Sequence, residues 1–171
     1  FTSYVIAVPR GNPARIQALD DLARPGVRVA MAKDASAPGG QAVMGLLKAS
    51  GLTQQVLANV PEQGTCVQRS VENVTSGNAD AMIVERRICR MQRFADHLDV
   101  VEIPEKFFPA GPLTFTVGLM ADAADKNMAA AYIDWLTGPQ GQAFFEHAGF
   151  IPALSSKGQE MIEKLGVKDV A

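Results

Sequence analysis

Cysteine is scarce in this sequence of 171 residues, which has only Cys66 and Cys89. Two cysteines cannot build the disulfide framework of a small secreted scaffold, and their spacing does not fit the paired ligands of a zinc ribbon. Because both lie near the starts of successive predicted helices, they are candidates for a single Cys66–Cys89 disulfide in an oxidising compartment. The alternative is an ordinary buried thiol at each position.

Long apolar runs and an excess of one charge are also missing. Arg, Lys, Asp or Gly interrupts every apolar run before the roughly 18 to 20 residues that a bilayer-spanning helix needs, which argues against an integral membrane protein. The formal net charge of −2, spread over both signs, creates no field that would steer the chain onto a polyanion. We therefore expect no nucleic-acid partner.

Familiar catalytic patterns do not occur. The sequence has no G-x-S-x-G, H-E-x-x-H, Walker loop or C-x-x-C, and its two histidines lie in helical patterns without a nearby nucleophile. We therefore expect no enzyme and no cofactor or metal. Two minor alternatives stay open, namely an enzyme that uses Glu85 as a base and a metal site built from Cys66, Glu85 and Cys89.

Strand and helix patterns alternate over the first hundred residues, in a chain that is 47% hydrophobic and of ordinary single-domain length. Such alternation favours an α/β fold with a mostly parallel sheet and helices on both of its faces. The predicted strands are Tyr4–Val8, Val27–Ala32, Ala79–Val84 and Val100–Ile103.

The pattern changes after Phe107. Apolar residues alternate with small polar ones from Leu113 to Leu119, which predicts one half-buried strand, and three helices follow at about 125–137, 139–148 and 157–165. One strand cannot cover the large side chains of these helices, so we expect a piece of sheet from outside this sequence to cover them. They are Tyr132, Ile133, Trp135, Leu136, Phe144, Phe145 and Phe150.

Two segments combine the start of a helix with small residues, where backbone N–H groups can hold an anion. In the first, Asp34–Gln41, the candidate ligand-binding residues are Ser36, Ala37, Gly39 and Gly40, and a plain turn is the alternative. The second segment places Cys66 and Val67 at a helix start. There the alternative is a capping box of Thr65 and Gln68 that serves stability alone.

A third candidate is Glu85, which ends the third predicted strand, with Arg86 directly after it as a further ligand-binding candidate. A carboxylate at this position could contact a ligand, or it could be a salt-bridged residue at the rim of the sheet.

Taken together, these segments resemble the type II periplasmic solute-binding proteins of ABC importers, and within them the molybdate/tungstate-binding (ModA-like) group. The resemblance covers most of the chain in the right order, and its last segment is the most specific. The matching segments are SYVIAVPRGNP, DLARPGVRVAM, DASAPGGQAVMGLLKASGL, VENVTSGNADAMIVE and AAAYIDWLTGPQGQAFFEHAGFIP.

The resemblance implies two α/β lobes joined by crossing strands, with a small polar solute or oxyanion bound in the cleft. Residues 1–9 would form a crossing strand, residues 10–106 the second lobe, and residues 107–171 a return to the first lobe. The N-terminal half of that first lobe, roughly 80 residues, would be missing, so we expect a fragment whose chain begins at Phe1 after a lost segment. The implied protein is a periplasmic or extracytoplasmic receptor that serves an ABC permease.

The resemblance also assigns roles to single residues. Two backbone N–H donors of the family fall on Gly39 and Val67, whereas the position of a tyrosine hydroxyl donor falls on Glu85. An ionised carboxylate repels a dianion instead of donating to it, so Glu85 would be turned toward Arg86 or Arg69, be protonated, or meet a ligand that has donors or positive charge. A second possible function is the effector-sensing domain of a LysR-type transcription regulator, which has a similar fold.

Overall fold

The computed structural model of the chain describes residues 1–32, 39–61, 64, 66–108 and 114–165. Contacts divide the chain into a larger unit, Tyr4–Ala110, and a smaller unit made of Phe1–Ser3 and Gly111–Ala171. The strand predicted within residues 1–9 lies inside the sheet of the larger unit, where it pairs with a neighbour on each side.

That sheet has four strands: β1 (Tyr4–Pro9), β2 (Val29–Ala30), β3 (Ala81–Glu85) and β4 (Leu98–Glu102), in the order β2-β3-β1-β4. β2 and β3 pair in parallel, and β1 runs antiparallel to both β3 and β4. Three strands thus share one direction, because helical crossovers connect β2 to β3 and β3 to β4. β1 precedes these crossovers and enters between β3 and β4 in the opposite direction, which makes the sheet mixed.

Five helices of the larger unit surround the sheet, together with two short 3-10 helices at Leu19–Ala23 and Glu105–Phe107. The helix predicted between Ile88 and Leu98 is split in two, because the backbone of Met91 is extended there. The helix that directly follows Gly51 was not predicted. The five are α1 (Gly39–Ser50), α2 (Thr53–Ala58), α3 (Val67–Thr75), α4 (Arg86–Cys89) and α5 (Gln92–Ala95).

Both faces of the central strand are covered. Val5 and Ala7 of β1 join one apolar cluster with residues of α3, α4 and α5, whereas Tyr4, Ile6 and Val8 point to the opposite face and are equally buried. Successive strand residues point to opposite faces, so the continuous apolar run of β1 is what a strand buried on both sides requires.

The smaller unit contains α6 (Lys126–Thr137), α7 (Pro139–His147) and α8 (Ser156–Leu165). The side chain of Gln142 ties them together: its amide donates to the carbonyl of Leu136 (3.2 Å) and its oxygen accepts from the amide of Ala153 (2.7 Å). Gly141 allows the close approach of α7 to α6, because a Cβ there would lie 2.4 Å from the carbonyl oxygen of Leu136. These contacts explain the G-P-Q-G-Q sequence that joins the two helices.

The strand predicted from Leu113 to Leu119 does not form within the described part of this segment. Residues 114–120 are assigned to no strand and are exposed, and Leu113 lies outside the described residues. A strand exists only when its backbone groups pair with a neighbour, and none of the described strands pairs with this segment.

Large aromatic side chains of the smaller unit stay exposed, as expected from the sequence. Tyr132 stacks on Trp135, which in turn contacts Phe144, and these three side chains are 57%, 43% and 67% exposed. We call these three residues the aromatic face. α6 has no buried residue at all, although more than half of its residues are apolar. None of the described helices is long and apolar enough to span a lipid bilayer.

Candidate functional site

The candidate site lies at the carboxyl ends of the parallel strands β2 and β3. Ala30 pairs with Met82, three residues before Glu85 at the end of β3. Of the residues predicted in that connection, Ser36 and Ala37 lie outside the described residues. Gly39 is the first residue of α1, and Gly40, the second, is buried.

The second predicted segment reaches the same edge. The amide of Gly64 donates to the carbonyl of Met31 (2.8 Å), and the amide of Val29 donates to the carbonyl of Asn59 (2.8 Å), so the chain leading to α3 runs along β2. The connection to α3 therefore passes the carboxyl end of β2, from which the chain also leaves toward α1.

Val67 is the first residue of α3, and Cys66, its N-cap, is exposed and extended (φ −122°, ψ 117°) without a side-chain capping bond. Among the described residues, no side chain therefore caps the start of α3, and only the extended backbone of Cys66 marks it. Thr65, the first member of the predicted capping box, lies outside the described residues.

The predicted disulfide does not form, and both cysteines are free thiols. Cys66 is on the surface, whereas Cys89 lies in the apolar cluster with Val71 and Val84, so the two sulfur atoms occupy different environments. Burial raises the pKa of Cys89 to about 11. Among the described residues no group of three or more His, Cys, Asp or Glu side chains could hold a metal ion, so the Cys66, Glu85 and Cys89 set finds no support.

Glu85 is buried, with only 5% of its surface exposed. Its Oε2 forms an ion pair with Nε of Arg87, and both of these atoms are buried. The partner is neither Arg86 nor Arg69, the two that the sequence suggested. Arg86 instead pairs with Glu102 on β4, which takes its guanidinium to a different strand.

Two neighbours of Glu85, Tyr4 and Arg87, were not predicted from the sequence. Tyr4 lies directly opposite Glu85 in the β1–β3 pair. Burial raises the pKa of Tyr4 well above its ordinary value, the negative charge of Glu85 raises it further, and Arg87 acts in the opposite sense. The phenol therefore stays neutral next to the carboxylate.

The smaller unit has a cavity of about 440 Å³. Its lining is mainly apolar, and its polar groups include the hydroxyls of Thr114, Thr116 and Thr137 and the amide of Gln142. The lining residues are Phe1, Thr114, Phe115, Thr116, Val117, Leu136, Thr137, Gln142, Phe145, Phe150, Ile151, Ala153 and Ile162.

The chain is similar to several known proteins. A sulfate-binding protein of Synechococcus elongatus is 26% identical over 169 residues, a match that covers 90% of this chain and 48% of the relative. The chain thus spans about half the length of this curated relative.

Two solved structures have a similar fold. A substrate-binding domain from Clostridium difficile, named for a molybdenum ABC transporter, has a TM-score of 0.72 at 22% identity and covers 87% of this chain and 62% of that domain. The periplasmic molybdate-binding protein of Azotobacter vinelandii has a TM-score of 0.59 at 18% identity, covering 88% of this chain and 67% of that protein. These likenesses establish the type II periplasmic-binding-protein fold that the sequence suggested.

The family profile described as "Bacterial extracellular solute-binding protein" matches residues 1–151, which is most of the chain and includes both units. This match covers every predicted ligand-binding residue, from Ser36 to Arg86. The chain therefore belongs to the bacterial extracellular solute-binding protein family.

Proposed function

We propose that this chain is the ligand-capturing part of an extracytoplasmic receptor that delivers a small oxyanion to an ABC permease. One observation carries the proposal: the connections to α1 and α3 both pass the carboxyl end of β2, next to the end of β3. Ligands of open α/β sheets bind at such an edge, where helix starts offer unpaired N–H groups. The family match supports the same role.

The chemistry of the site is binding without catalysis. Glycines at the start of α1 and the amide of Val67 at the start of α3 would donate hydrogen bonds to the oxygens of the ligand. Molybdate or tungstate is the ligand that the sequence resemblance favours, and sulfate is the one suggested by the relative from Synechococcus elongatus. Closure around the bound ligand would select the form that the permease recognises.

We further propose that the smaller unit is completed by a part of the protein that lies outside this sequence. The aromatic face is exposed, and residues 114–120 find no pairing strand in the described part of the chain. A patch of this kind usually marks a surface that another element covers. A half-lobe of roughly 80 residues would supply both the missing strands and the cover.

Calorimetry on the whole protein tests the receptor. The panel is molybdate, tungstate, sulfate, phosphate and small carboxylates, and we expect at least one oxyanion to bind with a Kd of roughly 1 µM or tighter. If no oxyanion on the panel binds, the proposed function is wrong.

A single substitution tests the role of α3. Val67→Pro removes one amide hydrogen at the first helical position, where proline is tolerated, and the extended backbone of Cys66 suits a following proline. We expect at least about tenfold weaker binding, since one hydrogen bond to a charged group is worth about 1.5 to 3 kcal/mol. Because the side chain of Val67 also packs against the apolar cluster, the thermal stability should fall slightly, and Val67→Ala, which keeps the amide hydrogen, measures that contribution. Lys126→Pro, at the first position of α6 after the extended Asp125, is the matched control and should bind normally.

A further inference from the structure

Glu85 is the only acidic side chain that is buried among the residues described by the structure. It ends β3 at the edge where the connections to α1 and α3 pass β2. A buried carboxylate is costly and persists where it has partners, so its position next to the proposed oxyanion site calls for a chemical explanation.

The neighbouring charges define what Glu85 can offer a ligand. Arg87 contacts Oε2 of the carboxylate, while Arg86 is engaged by Glu102 on β4. A carboxylate presents about four acceptor positions over its two oxygens, and the contact with Arg87 uses one of them. Toward a ligand, the carboxylate of Glu85 therefore offers further acceptor positions.

Oxyanions of the same charge respond differently to such an acceptor. Sulfate and molybdate are dianions without a proton, so every oxygen that approaches Glu85 meets a lone pair and a like charge. Hydrogen phosphate has the same charge of two at mildly alkaline pH but carries one hydroxyl group. That hydroxyl can donate a charge-assisted hydrogen bond to the carboxylate.

We propose that Glu85 is a specificity-determining residue, which selects an oxyanion that carries a proton, such as hydrogen phosphate, and rejects fully ionised sulfate and molybdate. The proposal rests on the proposed oxyanion receptor and reverses the ligand order that the sequence resemblance suggests. The ion pair with Arg87 gives the carboxylate a partner in its buried position, and its remaining acceptor positions would accept the hydrogen bond from the ligand.

Three ions of equal charge test this selection on the unmodified whole protein. Hydrogen phosphate, sulfate and monofluorophosphate are tetrahedral dianions at pH about 7.5, and only the first carries a hydroxyl. Calorimetry should show hydrogen phosphate binding at least about tenfold more tightly than the other two. Equal or tighter binding of sulfate or monofluorophosphate would overturn selection by Glu85 but not the proposed receptor function. If no oxyanion binds, both proposals are wrong.

The variant Glu85→Gln assigns the selection to this side chain. Its amide group can donate, so we expect sulfate to bind more tightly than in the unmodified protein and the preference for hydrogen phosphate to disappear. Glu72→Gln, which also removes a carboxylate paired with an arginine (Arg93) but lies on α3 away from the strand end, should keep the preference. If Glu85→Gln folds and keeps it too, Glu85 serves only to hold Arg87, and the proposal fails.

Discussion

Tyr4 and Glu85 are direct partners across the antiparallel pair of β1 and β3, at the first residue of one strand and the last residue of the other. Directly opposite residues of such a pair point to the same face of the sheet. The phenol and the carboxylate therefore share one buried environment, in which an ionised phenol would be both desolvated and repelled.

The titration of Tyr4 should show this environment. Tyr132→Phe leaves Tyr4 as the sole tyrosine, and we expect no ultraviolet tyrosinate signal at the ordinary tyrosine pKa of 10.0 while the protein stays folded. Because the folded pKa is raised, the unfolded chain loses this proton first. The contribution of the neutral Tyr4 to the free energy of unfolding is therefore complete below pH 10.0 and declines as the pH rises from there toward the pKa of Tyr4 in the folded protein.

Tyr4→Phe is the control for this decline. The substitution removes the titrating group, so the part of the alkaline loss of stability that belongs to Tyr4 should disappear in denaturant melts. A tyrosinate signal near pH 10.0 from a natively folded Tyr132→Phe protein would contradict the buried pair.

The two cysteines should react at very different rates. We expect a thiol reagent to modify Cys66 quickly in the native protein and to reach Cys89 only after denaturant is added, because Cys89 is buried and its pKa is raised to about 11. Mass spectrometry after labelling identifies the modified residue. Protein from an oxidising compartment that yields no free thiol even when denatured would reinstate the disulfide.

Gly141→Ala should destabilise the smaller unit. The added methyl group would lie 2.4 Å from the carbonyl oxygen and 2.5 Å from Cα of Leu136, both backbone atoms that cannot rotate away. We expect a loss of about 1 to 3 kcal/mol in the free energy of unfolding, measured in denaturant melts. Gly118→Ala is the matched control, since a Cβ there would meet nothing within 4 Å, and its unfolding should change little.

Trp135, the only tryptophan, is a probe for the aromatic face. In a protein that contains the proposed additional half-lobe, we expect its fluorescence to be shifted to shorter wavelength and protected from acrylamide. In residues 1–171 alone the side chain is 43% exposed and should be quenched readily. Equal quenching of both proteins would show that no added segment covers this face.

Much of the fold follows from local patterns in the sequence. Tyr4–Val8 and Ala79–Val84 are predicted as strands within two residues of their ends, because a short, mostly apolar run next to proline or glycine is a local signal of a strand. The three C-terminal helices likewise begin and end near their predicted residues. The strand at Leu113–Leu119 was wrong within its described part because alternation indicates a strand, whereas a strand also needs a partner.

The candidate site was only partly predictable. Its backbone positions, Gly39 and Val67, follow from turn and helix signals along the chain. The position of Tyr4 opposite Glu85 depends on pairing between segments about eighty residues apart, and the expected parallel sheet gave no reason to place these two residues together. Arg86 and Arg87 are adjacent residues of the same type, so the sequence does not show which of them pairs with Glu85. In the structure, Arg86 pairs with Glu102 and Arg87 pairs with Glu85.

Tyr4 and Phe108, which lie near the two ends of the larger unit, are in contact. Their rings meet edge to face with centroids 6.0 Å apart, and β1 and β4 lie side by side. A body whose entry and exit coincide can be removed from a chain, or inserted into another, without stretching either connection. Residues 4–110 could thus be inserted into a host protein as one unit that carries the proposed ligand-binding site.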